Sequence, residues 1–141
     1  MAVASRPRIG VAIGDPAGIG PEIALKAAND GAVRDLCVPL LVGDRAVLEL
    51  YAGRLGLPVP DDMVDVDALD ATALTPGKSN ADTGRAILAY ASEAIAMARR
   101  GDADAVAAYA EGCAILGTGG GGDIRVPVLI ARTALAEALV K

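Results

Sequence analysis

Residues 14–20 of this 141-residue chain, GDPAGIG, do most to limit how it can fold. They follow an apolar run over residues 9–13 and precede an alanine-rich stretch that begins at Pro21. Glycine reaches backbone conformations that other residues avoid, and proline favours the first turn of a helix. The pattern predicts a strand, a rigid loop and a helix N-terminus, a natural place for an anion. A purely structural strand-to-helix turn fits the same spacing, so the residues alone leave both interpretations open.

The glycine spacing distinguishes this GDPAGIG loop (residues 14–20) from two familiar nucleotide-binding loops. Gly14, Gly18 and Gly20 form G-x-x-x-G-x-G, whereas the dinucleotide fingerprint is G-x-G-x-x-G. No G-K-[ST] follows, so the loop is not a Walker P-loop.

The chain alternates between buried strands and helices beyond this loop. Continuous apolar runs bounded by turn residues are typical of buried parallel strands, and their alternation with helical segments indicates βαβ units. The predicted strands are residues 8–13, 38–42 and 104–109, and the predicted helices are residues 21–29, 45–54 and 79–100.

Capping residues and periodicity refine two of these helices. Asp44 is predicted to cap the helix over residues 45–54, with Gly56 just beyond its end. Residues 79–82, SNAD, look like a capping box that opens the longest helix, and Gly101 closes it. The helical spacing predicts a buried stripe on that helix, with Leu88 beside it; its members are Ile87, Ala91, Ile95 and Ala98.

Residues 58–79 contain five aspartates and no sustained period. An EF-hand needs a central glycine and a final glutamate at fixed positions, and both are missing. A solvated acidic connector with a short strand over residues 63–66 is therefore favoured over a calcium site.

Composition limits the partners and the compartment. A net charge of −5 and small, scattered basic clusters argue against nucleic acid. No window approaches the roughly 18 uninterrupted apolar residues of a membrane span, and residues 1–8 lack the apolar core of a signal peptide. We therefore expect a cytoplasmic protein. Cys37 and Cys113 could pair, but this compartment favours reduced thiols.

The stretch over residues 14–22, GDPAGIGPE, resembles the N-terminal signature of the 4-hydroxythreonine-4-phosphate dehydrogenase family. Weaker likeness continues to residue 106; it is carried by residues 38–44, 76–78, 84–86 and 101–106. The resemblance implies a three-layer α/β/α fold with a mostly parallel sheet, as in the N-terminal part of isopropylmalate and isocitrate dehydrogenases. It also implies NAD as cofactor, a small phosphorylated substrate, a role in pyridoxal-phosphate (pyridoxine) biosynthesis and a homodimer. The implied cofactor-binding residues are Gly14, Asp15, Gly18 and Gly20.

The resemblance stops after Val106. The family would continue with a Thr-x-Pro-x-x-Lys segment and histidine ligands for a divalent metal, but this chain contains no histidine. No metal ligand or catalytic residue is therefore assigned. Lys78 is an acid–base candidate, but a lysine exposed to solvent needs no such role. We expect an NAD-dependent dehydrogenase in an incomplete form that lacks the metal ligands. The alternative is a non-catalytic α/β remnant or ligand-binding module with no turnover.

Residues 112–141 form a second unit in this interpretation, after a dehydrogenase-like domain over residues 1–111. Gly117, Gly119 and Gly122 satisfy G-x-G-x-x-G, but the following residues look like a strand rather than a helix. A glycine-rich loop, a strand and a short helix over residues 133–140 are predicted. Residues 112–123 weakly resemble the glycine-rich opening of thiohydantoin- and hydantoinase-like proteins, so the origin of this unit is left open.

Overall fold

Four parallel strands form the sheet in the part of the chain, residues 5–107, that the computed structural model describes. They are β1 (Arg8–Ala12), β2 (Val38–Gly43), β3 (Val64–Asp65) and β4 (Ala105–Val106), in the order β3-β2-β1-β4. The helices are α1 (Gly20–Asn29), α2 (Gly31–Leu36), α3 (Arg45–Leu55) and α4 (Ala81–Arg100), and a short 3₁₀ helix spans Ala71–Ala73. The mostly parallel α/β fold predicted from the sequence is confirmed.

The chain changes direction across the sheet at β1. It moves outward from β1 to β2 and β3, and α4 then carries it back to β4 on the other side of β1. Helix α1 packs on α3 and β2, whereas α4 packs on β1, β2 and β4. Because such crossovers are right-handed, α1 and α3 cover one face of the sheet and α4 covers the other. The carboxyl end of β1 is therefore a topological switch point, where ligands bind in open α/β sheets.

Small side chains let the layers approach closely. A Cβ atom built on Gly10 of β1 would lie 3.9 Å from the Cβ of Ala94 on α4, an ordinary contact with no space to spare. At Gly43 of β2, an added Cβ would lie 2.3 Å from Cδ1 of Ile13, whose side chain is completely buried. Close packing of this kind replaces the bulk of the missing phenylalanine and tryptophan.

Helix ends agree with the predictions in part. Gly56 and Gly101 end α3 and α4 in the left-handed conformation, with φ of 66° and 82°. The start of α4 was predicted one residue early, because Asn80 rather than Ser79 occupies the N-cap. Its capping box closes with Thr83, whose hydroxyl accepts a hydrogen bond from the Asn80 N–H.

The predicted buried stripe of α4 is wrong by one position. The residues of α4 that are buried share a face and are Thr83, Ala86, Tyr90, Ala94 and Met97. The predicted stripe is only half-buried, and Leu88 is 69% exposed. Both sets have helical spacing, and apolar periodicity favours isoleucine over threonine and tyrosine. The polar groups of Thr83 and Tyr90 are buried because each has a hydrogen-bond partner.

The acidic connector carries more structure than its composition indicates. Its strand is limited to Val64–Asp65, and the side chain of Asp70 caps the 3₁₀ helix by accepting hydrogen bonds from Thr72. Asp30 caps α2, a helix that the sequence analysis did not predict, by accepting from the N–H of Val33 at 3.0 Å. Short polar side chains at such positions start helices within segments that lack any apolar period.

The last predicted strand is seen only as Ala105–Val106. Asp104 and Ala107 of the predicted strand are not in a strand. Residues 108–109 of that prediction, the predicted division at residue 111 and the glycine-rich unit over residues 112–141 lie outside the described residues. The pairing state of Cys37 with Cys113 therefore stays a prediction.

Candidate functional site

The GDPAGIG loop joins the carboxyl end of β1 to the N-terminus of α1. It therefore lies at the switch point of the sheet. Of the four predicted cofactor-binding residues, Gly14, Asp15 and Gly18 lie in the loop, and Gly20 is the first residue of α1. Gly14 has a φ of 72°, which a residue with a side chain adopts only with strain.

Asp15 shapes the loop from within. Its Oδ1 atom accepts a hydrogen bond from the N–H of Ala17 at 2.8 Å, and its carbonyl oxygen accepts one from the N–H of Gly18 at 3.0 Å. A Cβ atom on Gly18 would lie 3.3 Å from the Cβ of Asp15, tighter than an ordinary contact. The Asp15 side chain therefore caps its own turn.

A second segment, the PGKS segment (residues 76–79), braces the loop from the connector before α4. The N–H of Gly77 donates to the carbonyl oxygen of Ala17 at 2.7 Å, and the Ser79 hydroxyl donates to Oδ2 of Asp15. Both carboxylate oxygens of Asp15 are thus engaged within the protein. The same segment brings the exposed Lys78 beside the loop, although 60 residues of sequence separate Lys78 from Gly18.

Tyr51 of α3 supports the loop through its hydroxyl group. That hydroxyl donates to the carbonyl oxygen of Pro16 at 2.9 Å and lies 3.4 Å from the carbonyl oxygen of Gly18. Burial raises the pKa of Tyr51, and the nearby Arg54 guanidinium, 5.9 Å from the ring centroid, partly offsets this effect. The phenol therefore remains a hydrogen-bond donor at neutral pH.

Helix α1 begins without a side-chain cap. Ile19 occupies the N-cap, where an isoleucine cannot accept a hydrogen bond, and Pro21 lies in the first turn. The first N–H groups of any α-helix have no partner within the helix, and they carry its positive dipole end. The N-terminus of α1 therefore presents backbone donors at the switch point of the sheet.

A different carboxylate, Asp44, lies at the carboxyl end of the neighbouring strand β2. It is only 2% exposed and accepts hydrogen bonds of 2.8 Å each from the N–H groups of Ala68 and Leu69 and from the Tyr90 hydroxyl. Burial, together with the hydrogen bond to Asp44, raises the pKa of Tyr90 far above its ordinary value.

The prediction that the Asp44 side chain caps α3 is wrong. Asp44 stands at the N-cap position but makes no capping hydrogen bond. Asp65 takes over that role, because its Oδ1 atom accepts from the N–H of Arg45 at 3.1 Å. Asp44 is left free to hold the connector and α4.

Sequence reasoning missed Tyr51 and Ser79, and no local pattern identifies them. Both act across long stretches of chain, on atoms of residues 15–18. A weak signal exists in the composition, since the chain has only three tyrosines and no other large aromatic residue. A buried tyrosine usually finds a partner for its hydroxyl.

Side chains that could ligate a metal do not cluster in the described part of the chain. Residues 5–107 contain no group of three histidine, cysteine, aspartate or glutamate side chains placed to hold an ion. Nor does any helix within that range have the length and apolar character to cross a membrane.

A cavity of about 380 Å³ lies at the other end of the strands, around the amino end of β2. Its lining includes Arg6, Arg34, Cys37 and Asp61. Ligands of parallel α/β sheets bind at the carboxyl ends of the strands, so this cavity does not compete with the GDPAGIG loop as the candidate site.

Comparison with curated proteins places this chain beside a set of phosphate-substrate dehydrogenases. No family model matches it. A Clostridium botulinum protein with the provisional name D-threonate 4-phosphate dehydrogenase is 32% identical, covering 73% of this chain and 36% of that protein. The 4-hydroxythreonine-4-phosphate dehydrogenase of Desulforapulum autotrophicum is 34% identical, with 73% and 35% of the two chains covered. The chain thus spans about a third of the length of these relatives.

Solved structures agree with the curated proteins. A terephthalate 1,2-cis-dihydrodiol dehydrogenase from Burkholderia xenovorans matches 72% of this chain and 33% of its own, with a TM-score of 0.61 and 45% identity. A 4-hydroxythreonine-4-phosphate dehydrogenase from Burkholderia phymatum matches 72% and 35%, with a TM-score of 0.64 and 26% identity. Over the part of its sequence that these proteins match, the chain is therefore related to the 4-hydroxythreonine-4-phosphate dehydrogenase family.

Proposed function

We propose that this chain supplies the cofactor-side loop of an NAD-dependent dehydrogenase that oxidises a small phosphorylated hydroxy acid. One observation carries the proposal: the stretch that resembles the family signature forms the loop at the switch point of a parallel sheet. The relatives named for D-threonate 4-phosphate and 4-hydroxythreonine 4-phosphate supply the substrate class.

The proposed cofactor contacts are the backbone at Gly14, Gly18 and Gly20, with Asp15 as their support. NAD, when bound, supplies the hydride acceptor. Glycine keeps this backbone free of side chains, and the first turn of α1 offers N–H groups to acceptor atoms of the dinucleotide. Asp15 already receives hydrogen bonds at both carboxylate oxygens, so its role is to hold the loop rather than to bind a ribose hydroxyl.

The solved structure with the higher sequence identity of the two above supports a second substrate class. The 45% identity with the terephthalate dihydrodiol dehydrogenase exceeds the 26% identity with the phosphate-substrate enzyme. A cyclic cis-diol that bears carboxylates is chemically close to a hydroxy acid, since each offers a secondary alcohol near an anionic group. Oxidation of that alcohol is the shared reaction.

In this proposal, the described residues bind and orient the cofactor, but they do not supply every group that the reaction needs. Hydride transfer from an alcohol also needs a group that takes the hydroxyl proton. Lys78 lies near the loop, but it is exposed to solvent and we assign it no role. The described residues do not fit the divalent metal expected for the family, and we derive no step through one. A ligand-binding module without turnover is the alternative, and the homodimer and cytoplasmic location stay predictions.

Calorimetric titration of the full chain with NAD tests the proposal. The matched variants are Gly14→Ala and Gly56→Ala, because each places alanine at a positive φ, 72° and 66° respectively. We expect NAD to bind the wild-type chain and the Gly56→Ala variant alike, and to bind Gly14→Ala more weakly. Equal binding of NAD to all three proteins would show that the loop is not part of the cofactor site. No binding of NAD to the wild type would overturn the proposal.

Substrate class is decided by NADH formation. The chain is incubated with NAD, a divalent metal and either 4-hydroxythreonine 4-phosphate or the terephthalate cis-dihydrodiol. Turnover of the phosphate ester supports the first class, and turnover of the diol alone supports the second. NAD binding without turnover of either compound supports the ligand-binding module.

A further inference from the structure

Tyr51 contacts the candidate site from outside it. Its side chain extends from α3 and is 7% exposed, with its hydroxyl among the carbonyl oxygens of the GDPAGIG loop. A buried hydroxyl needs a partner, but any nearby helix carbonyl would serve. Here the partners are Pro16 at 2.9 Å and Gly18 at 3.4 Å, on either side of Ala17.

Three consecutive carbonyl groups of the loop are held by hydrogen bonds from elsewhere in the chain. The Tyr51 hydroxyl binds those of Pro16 and Gly18, and the N–H of Gly77 binds that of Ala17 at 2.7 Å. Supports therefore come from α3 and from the PGKS segment. A loop held at every peptide group from Pro16 to Gly18 has few alternative conformations.

Fixing a carbonyl also fixes the next N–H, because a peptide group is planar and trans. The N–H of Ala17 then points to Asp15, and so does that of Gly18. The N–H of Ile19 shares a peptide group with the Gly18 carbonyl, so it points away from Tyr51. The direction of this N–H group, at the N-cap residue of α1, thus depends on the Tyr51 hydroxyl.

We propose that Tyr51 is a positioning residue for the cofactor loop: its hydroxyl sets the orientation of the peptide groups that follow Pro16. The inference rests on the proposed cofactor role of the loop. Tyr51 itself touches no ligand in this account and acts through the backbone of residues 16–19.

Tyr51→Phe tests the role of the hydroxyl while leaving the ring that packs against Arg54. Tyr90→Phe is the matched control, because it also removes one buried phenol hydrogen bond, at a different place. Two readouts are taken on the full chain: amide hydrogen exchange of residues 17–20 without ligand, and the Kd for NAD by calorimetry.

We expect Tyr51→Phe to speed exchange at residues 17–20 and to raise the Kd for NAD by about threefold to tenfold, the range of one hydrogen bond. Tyr90→Phe lowers global stability but leaves the Kd within about twofold of wild type. A merely structural tyrosine would change the melting temperature without this selective effect on the loop and on NAD.

The proposal is overturned if Tyr51→Phe leaves loop exchange unchanged, or if Tyr90→Phe raises the Kd as much as Tyr51→Phe does. If the wild-type chain does not bind NAD, the proposed function fails, and the exchange rates then decide on Tyr51 alone. Faster exchange confined to residues 17–20 still supports its positioning role, and unchanged exchange overturns it.

Discussion

Two aspartates, Asp15 and Asp44, follow glycines just beyond neighbouring parallel strands, and the protein uses them differently. Asp44 is buried and holds three donors, from the connector and from α4. Asp15 is half-buried and holds two, from its own turn and from Ser79. The Asp44 carboxylate holds separate elements together, and the Asp15 carboxylate shapes a loop at the switch point of the sheet.

An apolar strand followed by Gly-Asp therefore does not determine what the carboxylate does. The residues after it decide. Pro16 and Gly18 continue a turn around Asp15, whereas Arg45 starts a helix directly after Asp44 and leaves that side chain facing the core. Tyr90, 46 residues further along the chain, completes the buried site. One position therefore contributes stability, and the other contributes a defined surface.

Asp44→Ala should have the largest effect on stability. It leaves the Leu69 N–H and the Tyr90 hydroxyl buried without an acceptor, and each such group costs roughly 1–3 kcal/mol. We expect the free energy of unfolding to fall by about 3 kcal/mol in urea titrations. Asp35→Ala, at an exposed position on α2, is the control and should change it by less than about 0.5 kcal/mol. A loss below about 1 kcal/mol for Asp44→Ala would show that this carboxylate does not fasten the fold.

Gly43→Ala probes the strand end from which Asp44 projects. The added Cβ would lie 2.3 Å from Cδ1 of Ile13 and 2.6 Å from its Cγ1, so the buried isoleucine must move. Overpacking of this kind costs roughly 1–3 kcal/mol. Gly53→Ala is the matched control, because its Cβ meets open space on α3 and alanine favours the helix. Urea titration should show a loss for the first variant and a small gain for the second; a gain for both would refute the close contact.

Tyr90→Phe should cost about 1.5 kcal/mol, since it removes one hydrogen bond to a carboxylate but leaves two donors on Asp44. The pKa of Tyr90 is raised in the folded state, so its contribution is fully present below the unfolded pKa of about 10 and is lost as pH rises above it. Unfolding titrations from pH 8 upward, to about pH 11, should therefore show a steeper alkaline loss for the wild type than for Tyr90→Phe. Parallel curves would mean that the alkaline loss of stability does not come from ionisation of Tyr90.

Ser79→Ala should have the smallest effect on stability. Ser79 is exposed, and one hydrogen bond at the surface contributes about 0.5–1 kcal/mol at most. Its loss frees one oxygen of Asp15, so we expect a raised Kd for NAD with nearly unchanged unfolding. Ser92→Ala, an exposed serine on α4, is the control for both measurements. A Kd unchanged in Ser79→Ala would show that the PGKS segment does not support the loop.

The fold could be predicted where local chemistry determines it. Apolar runs located β1 and β2, and Gly56 and Gly101 marked helix ends because each adopts a positive φ. These features depend on residues within about five positions of each other.

The rest depends on distant residues. The burial of Asp44 requires Tyr90 and Leu69, and the support of the GDPAGIG loop requires Tyr51 and Ser79. The apolar periodicity predicted Ile87 rather than Tyr90 on the buried face of α4. A polar side chain is not expected to be buried until its hydrogen-bond partner is known. The loop could therefore be located from the sequence, but not the contacts that hold it.

The most direct measurement is a pair of thermal melts, of Asp15→Ala and Asp44→Ala, each with and without millimolar NAD. NAD that binds only the native state raises the melting temperature by mass action. We expect Asp44→Ala to melt far below the wild type but to keep the stabilisation by NAD, whereas Asp15→Ala should melt close to the wild type and lose most of that stabilisation. The opposite pattern, or a shift retained by Asp15→Ala, would contradict the division between a fastening carboxylate and a loop-shaping one.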